Sequence, residues 1–412
     1  MSWWKKQKLY LKILIGVILG VIVGLTLGDK ASVLDPVGSI FLRALQAIIV
    51  PVVFFSLISG ITKLENLDKL RTIGTKAILF YITTGFLATI LGVGAALLFA
   101  PGKTNTIQLK DVSNLHKEFS FDFVQNIVNW VPNNIIDAMA NGNIIQIIIF
   151  AIIVGIALIT LGESGKKLID LFNIGSDLSI RMAELIIGFA PYGIFALMAT
   201  ATSKFGSDFI FQGFRYILAD VSGIVILLVF VYPVLIRLFT RFRPMAFYKA
   251  VSPAMLMAAS TTSSNATLPT TMKVARDNLK ISEKIFGFTI PLGATVNMNG
   301  MSVVLGVIAI FAANVHGVEI TLNFLATTVF LGVFLAAGTG GVKGADIIMA
   351  SILLTTLGFP LTLLPIIAAL SPLLDMGHTV CNITGDLIGT AVVEKSEGNL
   401  ARVERMESAE QA

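Results

Sequence analysis

The stretch Ser260-Thr-Thr-Ser-Ser-Asn-Ala-Thr-Leu-Pro269 places seven hydroxyl or amide side chains in the middle of an otherwise apolar region. Its centre is too polar to face lipid, and its flanks are too apolar for a loop in water. Hydroxyl and turn-forming residues suit the tip of a hairpin between two half-helices. The stretch therefore predicts a helical hairpin inside a membrane protein, with a polar surface loop as the alternative.

The composition of the whole chain agrees with a membrane setting. Of 412 residues, 55% are apolar and 13% are charged, about half the charged fraction of an average soluble chain. Several apolar runs exceed the roughly 18 residues that a membrane helix needs. We therefore expect an all-α polytopic membrane protein. The low charged fraction excludes an ordinary soluble enzyme. A disordered chain and a nucleic-acid-binding protein are also excluded, since the net charge of +5 is spread along the chain.

The apolar runs predict successive membrane spans, with a polar loop and an amphipathic helix at 101–143. We interpret the first run as a retained helix and not as a cleaved signal peptide. Its glycines at 16, 20, 24 and 28 recur every four residues, which favours close packing against another helix. The single cysteine, Cys381, excludes a disulfide framework. The predicted spans are 11–28, 37–62, 77–100, 144–161, 177–204 and 215–238, followed by helices near 284–313 and 361–392.

Basic residues indicate which side of the membrane faces the cytoplasm. Four groups fall on one side if the first six spans cross fully, and such a bias marks the cytoplasmic side. We therefore expect a multi-pass protein of the cell (inner or plasma) membrane with both termini in the cytoplasm and a polar tail at 395–412. The groups are Lys5, Lys6, Lys8 and Lys12; Lys63, Lys69, Arg71 and Lys76; Arg237, Arg241, Arg243 and Lys249; and Lys273, Arg276, Lys280 and Lys284.

Two segments of the C-terminal half have the pattern of re-entrant hairpins. Hairpin 1, at about 250–283, enters from the cytoplasmic side, and hairpin 2, at about 321–358, enters from the opposite side. Non-helical backbone at membrane depth is tolerated only where it is buried in protein or lines a cavity. An inverted pair of such segments is typical of secondary transporters.

Three further polar clusters accompany the hairpins. The segment 293–300 has two Asn within a predicted helix and predicts local unwinding, which frees carbonyls for a hard cation such as sodium. A polar contact between helices is the alternative. The Gly-rich segment 338–346 lacks the hydroxyl residue of a phosphate-binding loop, since Ala345 stands there, and it predicts a flexible gate.

The last cluster lies on one stripe of the final helix. Asp375, His378, Thr379, Asn382 and Asp386 recur at helical spacing. Carboxylates inside a membrane helix are costly, and they indicate a functional site unless they form a structural ion pair.

In their order and spacing, these clusters resemble the glutamate-transporter family, the dicarboxylate/amino acid:cation symporters. The resemblance extends to Ile49-Val-Pro51 and Pro291-Leu-Gly-Ala-Thr295. It implies eight transmembrane helices with two re-entrant hairpins, a homotrimer, and elevator-type movement of a transport domain. It further implies a six-helix region at 1–243, with scaffold helices and part of the transport domain, and a C-terminal core at 244–394.

The resemblance also implies site residues. Asp375 matches the aspartate that binds the substrate's amino group, and Asn382 with the Ser264 region matches the groups that hold its α-carboxylate. The implied substrate-binding residues are Ser263, Ser264, Met301, Val342, Gly344, Asp346, Asp375, His378, Thr379 and Asn382.

Sodium sites follow from the same resemblance. One matches Gly293, Asn297, Asn382 and Asp386, and another matches Thr295, Met298, Ala336, Ala337 and Thr339. A third family site uses an aspartate and a serine where this chain has Asn299 and Gly85, while Tyr81 and Thr84 remain. Because an amide binds sodium more weakly than a carboxylate, we expect a weakened third site, and proton coupling is the alternative.

Two departures from the family pattern bear on the substrate. Members that carry acidic substrates have an arginine where this chain has His378, and a threonine where it has Met301. Arginine clamps a carboxylate through two hydrogen bonds and stays charged. The chain also has Asp346 where the family has glycine, and a partner for Asp346 is left open between His378 and a polar side chain.

The sequence therefore predicts a secondary symporter that couples sodium, or else protons, to uptake of an amino acid, most simply a neutral one. An acidic amino acid or dicarboxylate is the alternative, with protonated His378 replacing arginine. An enzyme is disfavoured because His116, His316 and His378 are far apart in sequence and form no metal motif. A channel would be favoured only by passive, unsaturable flux. The expected partners are the substrate, the lipid bilayer and further copies of this chain, with no nucleic acid.

Overall fold

The structure is a computed structural model that describes residues 7, 9–62, 73–103, 128, 131–339 and 345–397. The described residues form helices and connecting turns without a β-strand. The α-helices are α1 (Leu9–Leu27), α2 (Asp35–Thr62), α3 (Thr75–Phe99), α4 (Ile135–Ala140), α5 (Ile144–Thr160), α6 (Lys166–Gly188), α7 (Ala190–Ile226), α8 (Tyr232–Phe239), α9 (Pro244–Thr261), α10 (Ser264–Asp277), α11 (Glu283–Val296), α12 (Asn299–His316), α13 (Leu322–Ala337), α14 (Ala345–Thr356) and α15 (Leu364–Ser396).

The glycine stripe of α1 packs directly against α7. A Cβ atom on Gly16 would lie 2.5 Å from the carbonyl oxygen of Pro191, and one on Gly20 would lie 2.6 Å from that of Phe195. Gly24 meets the carbonyl of Ala199 in the same way. The predicted close packing is thus confirmed for three glycines. It is wrong for Gly28, which has open space around it and ends α1 with a positive φ of 53°.

Four helical stretches of the described residues are long and apolar enough to cross a membrane, namely Leu11–Phe41, Thr75–Phe99, Phe211–Phe239 and Glu283–His316. A fifth is obtained if Leu364–Ser371 and Leu373–Ser396, which are bent by 67°, count as one span. Residue 372 between them is a proline, which cannot donate a backbone hydrogen bond. The fold is all-α as predicted, and eight membrane-crossing helices stay a prediction.

Two predicted boundaries are wrong. The span expected at 177–204 is divided between α6 and α7 at Phe189, because Pro191 suits the first turn of a new helix. Hairpin 1, expected from about 250, begins at Pro244 for the same reason. The amphipathic helix expected within 101–143 corresponds to the short α4, and residues 104–127 lie outside the described part of the chain.

Both predicted hairpins are present as pairs of contacting helices. Helices α9 and α10 pack against each other and are joined at Thr262 and Ser263. Thr262 takes the left-handed conformation with φ 49°, and the Ser263 hydroxyl accepts a hydrogen bond from Ala266 N at 3.3 Å. Helices α13 and α14 form the second pair. Residues 340–344 between them lie outside the described residues.

The predicted unwinding is confirmed at Asn297 and Met298, which separate α11 from α12. Nearly every residue of α12 is buried, against α3, α7, α13, α14 and α15. In the most apolar window of Glu283–His316, 94% is buried inside the protein. The polar residues at the break are therefore shielded from lipid and face α15 and the hairpins.

Candidate functional site

A small cavity lies where the α9–α10 tip, the α11–α12 break, α14 and α15 meet. Its volume is about 20 Å³, which is room for about one water molecule. The residues that line the cavity are Thr262, Ser263, Ser264, Met298, Met301, Thr339, Ala345, Asp346, Asp375, His378, Thr379 and Asn382.

This lining brings together eight of the ten predicted substrate-binding residues, from four elements that are distant in sequence. The remaining two, Val342 and Gly344, lie outside the described residues, as does Lys343.

His378 forms an ion pair that the sequence analysis missed. Its Nε2 lies 2.9 Å and 3.1 Å from the two carboxylate oxygens of Asp220 on α7. The two side chains are 2% and 0% exposed, respectively. Asp220 is an acidic residue within an apolar span, and this position alone is a signal of function. The pairing itself joins residues 158 positions apart, so no local pattern around His378 indicates it.

Asp346 lines the same cavity. Its Oδ2 accepts a hydrogen bond from the Ser371 hydroxyl, and its Oδ1 accepts one from Ile347 N at 3.1 Å. Ligand atoms of Asp346, Asp375 and His378 all lie within 4.8 Å of one another. Asp346 therefore has both of the partners that the sequence left open: it bonds the polar side chain of Ser371 and also lies close to His378.

The charges around the cavity do not leave a free cation among the described residues. His378 is the single basic group in the lining, and it is surrounded by the carboxyl groups of Asp220, Asp346 and Asp375. A protonated imidazole would be compensated by Asp220 alone. The cluster has three carboxyl groups to one imidazole, so an added carboxylate would enter a site rich in acidic groups.

The remaining wall residues are held by bonds along and between helices. The Asn382 Oδ1 accepts a hydrogen bond from Gly300 N at 2.8 Å, and its Nδ2 lies 3.3 Å from the sulfur of Met298. Because sulfur is a weak acceptor, this amide nitrogen retains donor capacity toward the cavity. The Thr379 hydroxyl donates to the backbone oxygen of Asp375 at 2.8 Å. Met301 is buried and adds an apolar wall.

Deeper along α15, Asp386 faces the break between α11 and α12. Its Oδ1 accepts a hydrogen bond from Asn297 Nδ2 at 2.8 Å, and Gly293 lies beside the carboxylate. Asp386 Oδ2 and Asn297 Oδ1 are both buried without a hydrogen-bond partner. Orphaned buried oxygens are costly unless a cation or a proton satisfies them. These residues therefore fit the sodium site that the resemblance implies.

The predicted third site is arranged differently. Asn299 Nδ2 donates to Tyr232 Oη at 2.9 Å and to Thr84 Oγ1 at 3.3 Å. Both hydroxyls donate their own hydrogens to backbone oxygens, those of Cys381 and Phe80. The two hydroxyl oxygens can therefore only accept hydrogen bonds from Asn299. For this reason the amide nitrogen of Asn299, and not its oxygen, points toward them. The Asn299 Oδ1 is buried without a hydrogen-bond partner. Tyr81 instead donates to the Thr289 carbonyl.

The other predicted sodium ligands are only partly assembled. Met298 and Thr339 line the cavity together, and the Thr339 hydroxyl donates to the Ala336 carbonyl at 2.7 Å. Thr295 faces Gly60 of α2, and it and Ala337 do not line the cavity.

Comparison with known proteins agrees with this architecture. The sequence model of the sodium:dicarboxylate symporter family matches residues 9–396. The chain is 29% identical to the proton/sodium-glutamate symport protein of Geobacillus stearothermophilus over 379 residues, 89% of each chain. It is 29% identical to the C4-dicarboxylate transport protein of Bacillus subtilis, covering 93% of this chain and 92% of that one. It is 27% identical to excitatory amino acid transporter 3 of Oryctolagus cuniculus, covering 93% and 83%.

The resemblance that the sequence motifs indicated is thereby confirmed over nearly the whole chain, and the relatives are transporters coupled to cations. The chain belongs to the sodium:dicarboxylate symporter family and is a multi-pass, helical, elevator-type membrane transporter and not an enzyme.

Proposed function

We propose that this protein is a sodium-coupled symporter that takes up a neutral amino acid. The observation that carries the proposal is the buried pair of His378 and Asp220. In this pair the charge of a protonated histidine is already compensated, and Asp346 lies close to the same histidine. The described pocket therefore offers no free cation to the side chain of a substrate.

The electrostatic cost of an acidic substrate supports the same conclusion. A second carboxylate would enter a pocket that already has three carboxyl groups. An unpaired buried charge costs about 3–5 kcal/mol, which corresponds to about two to four decades of affinity. A neutral side chain avoids this cost, and Met301 offers it an apolar, adaptable surface.

The two groups common to all amino acids have suitable partners in the cavity. Asp375 provides a carboxylate for the α-ammonium. The α-carboxylate would lie between the amide nitrogen of Asn382 and the first turn of α10, which starts at Ser264. Backbone N–H groups at a helix N-terminus favour an anion.

Cation coupling is assigned to the oxygens around Asp386. Sodium bound there would use the orphaned oxygens of Asp386 and Asn297 and would stabilise the break between α11 and α12. That break carries Met298 and precedes Met301, so ion binding would shape the substrate cavity. At the third site the neutral amide of Asn299 stands where the family has an aspartate, and we propose a lower sodium requirement than a three-site transporter has.

Transport requires the substrate cavity to open to each side of the membrane in turn. We propose that the α13–α14 hairpin acts as the outer gate and that the region 244–394, with part of 1–243, moves as the transport domain. A homotrimer with cytoplasmic termini completes this proposal.

The alternative is symport of an acidic amino acid or a C4-dicarboxylate. It is favoured by the names of the relatives, which include glutamate and C4-dicarboxylate transporters. In that case a cation must come from protonated His378 or from outside the described residues, where Lys343 stands.

Uptake by proteoliposomes tests the proposal. A panel of neutral and acidic amino acids and dicarboxylates is offered under a sodium gradient alone and under a proton gradient alone. We expect saturable uptake of a neutral amino acid driven by sodium. Uptake of glutamate or succinate in preference to neutral amino acids would overturn the substrate assignment, and uptake driven only by protons would overturn sodium coupling.

A further inference from the structure

The cluster of Asp346, Asp375 and His378 has the chemistry of a metal centre as well as that of a substrate pocket. We propose that these three side chains form a binding site for a divalent transition metal of the zinc type, and that a metal bound there excludes the substrate.

The three ligand atoms are close enough for one ion. They lie within 4.8 Å of one another. In a tetrahedral site with zinc bonds of 2.0–2.1 Å, ligand atoms lie about 3.3 Å apart. Shifts of about 1 Å or less in each side chain would therefore complete the coordination.

The orientation of His378 is the second observation. Its Nε2 is held by Asp220, whereas its Nδ1 is buried without a hydrogen-bond partner, on a side chain that is 2% exposed. A histidine that binds a metal almost always donates its other N–H group to a carboxylate or carbonyl. Asp220 provides this contact and leaves the lone pair of Nδ1 available to a metal.

Space and charge also suit an ion. The cavity has room for about one water molecule, so a small ion fits in it. A dication would compensate the excess negative charge of the three carboxyl groups. One imidazole and two carboxylates favour zinc, cobalt or nickel over the hard cations that prefer oxygen alone.

The site has a functional consequence because Asp375 is shared. In the proposed function Asp375 binds the ammonium group of the substrate, so metal and substrate would compete for it. This consequence rests on the proposed function, whereas metal binding by the three side chains does not.

Cobalt(II) titration of the purified, substrate-free, full-length protein in detergent tests the site, after removal of any polyhistidine tag. We expect visible absorption bands that saturate at one Co²⁺ per chain and that Zn²⁺ abolishes by displacement. No saturable Co²⁺ or Zn²⁺ binding by the wild type would overturn the proposal.

Variants separate these ligands from other carboxylates. Asp220→Asn should weaken Co²⁺ binding about 10- to 100-fold, as the loss of an outer partner does, and Asp346→Asn and His378→Gln should weaken it more. Glu394→Gln is the matched control, a buried carboxylate sixteen residues further along α15, about 24 Å away. It should bind Co²⁺ as the wild type does. Equal binding by Asp346→Asn or His378→Gln and the wild type would contradict the assignment.

A second arm adds an amino acid that the protein transports. Displacement of Co²⁺ by this substrate would support mutual exclusion. Co²⁺ binding that the substrate does not affect would overturn the exclusion and count against Asp375 as the ammonium partner, while leaving the metal site in place.

Discussion

Nε2 of His378 lies 2.9 Å from Oδ2 of Asp220, although 158 residues separate them in the chain. The pair joins the last helix to α7 in the interior of the protein and gives the histidine a fixed partner. The residue that the family resemblance aligns with a substrate-binding arginine is therefore held by another side chain of the protein. The consequences for substrate choice can be tested by changing either partner.

Replacement of His378 by arginine should not by itself convert the pocket to acidic substrates. In His378→Arg the new guanidinium would pair with Asp220, which already holds the imidazole. We expect a small gain in glutamate or aspartate binding from this variant and at least about a further tenfold gain from the double variant His378→Arg/Asp220→Asn, since the latter removes the carboxylate that pairs with residue 378.

Competition binding on the two single variants and the double variant measures this coupling. The control is Asp220→Asn alone, which should not gain binding of acidic substrates to the same degree. Additive effects of the two substitutions would show that residues 378 and 220 are not coupled.

Loss of the Asp375 charge should abolish binding of any amino acid. Asp375→Asn leaves the α-ammonium without its carboxylate in a buried site, and we expect at least about a 100-fold loss of affinity. The matched control is Asp277→Asn, at an exposed residue that pairs with Arg276. Wild-type affinity in Asp375→Asn, measured by radioligand binding, would show that the ammonium group binds elsewhere.

Substitutions at Asp386 and Asn299 should change the sodium dependence of substrate binding in opposite directions. Asp386→Asn removes the charged oxygen at the proposed sodium site and should raise the sodium concentration needed for half-maximal substrate binding. The double variant Asn299→Asp/Gly85→Ser should increase the Hill slope for sodium. A Cβ at Gly85 would meet Val333 at 3.4 Å, an ordinary contact.

Substrate binding measured against sodium concentration provides both values. If neither the midpoint nor the slope changes in the two variants, the coupling ion is not sodium at these positions.

Close packing of α1 on α7 should depend on the absence of side chains at its glycines. Gly20→Ala would place a Cβ 2.6 Å from the carbonyl of Phe195 and should destabilise the protein by about 1–3 kcal/mol. Gly94→Ala on α3 is the matched control, because nothing lies within 4 Å of its Cβ position. This control should be neutral or slightly stabilising. Thermal unfolding in detergent compares the two, and equal melting temperatures would contradict the packing.

Much of this architecture is predictable because it is local in sequence. The apolar runs give most of the helices, the hydroxyl-rich stretch at 260–269 gives the first hairpin, and the two asparagines at 297 and 299 give the break between α11 and α12. Helical spacing also places Asp375, His378 and Asn382 on one face of α15.

Contacts between distant segments are not predictable in this way. Nothing in the sequence around His378 indicates Asp220, and nothing around Asp346 indicates Ser371. Likewise, the orientation of the Asn299 amide depends on the hydroxyl groups of Thr84 and Tyr232, which are distant in sequence. Such partners are set by helix packing, which single-sequence patterns do not contain.

Competition binding on the wild-type protein is the most direct test of whether the substrate is a neutral amino acid. A neutral amino acid found by uptake is radiolabelled and bound at saturating sodium. Unlabelled neutral and acidic amino acids and succinate then compete with it. We expect neutral amino acids to displace the label, and glutamate, aspartate and succinate to do so at least about 100-fold less well. Tight binding of glutamate or succinate that neutral amino acids fail to displace would contradict this expectation.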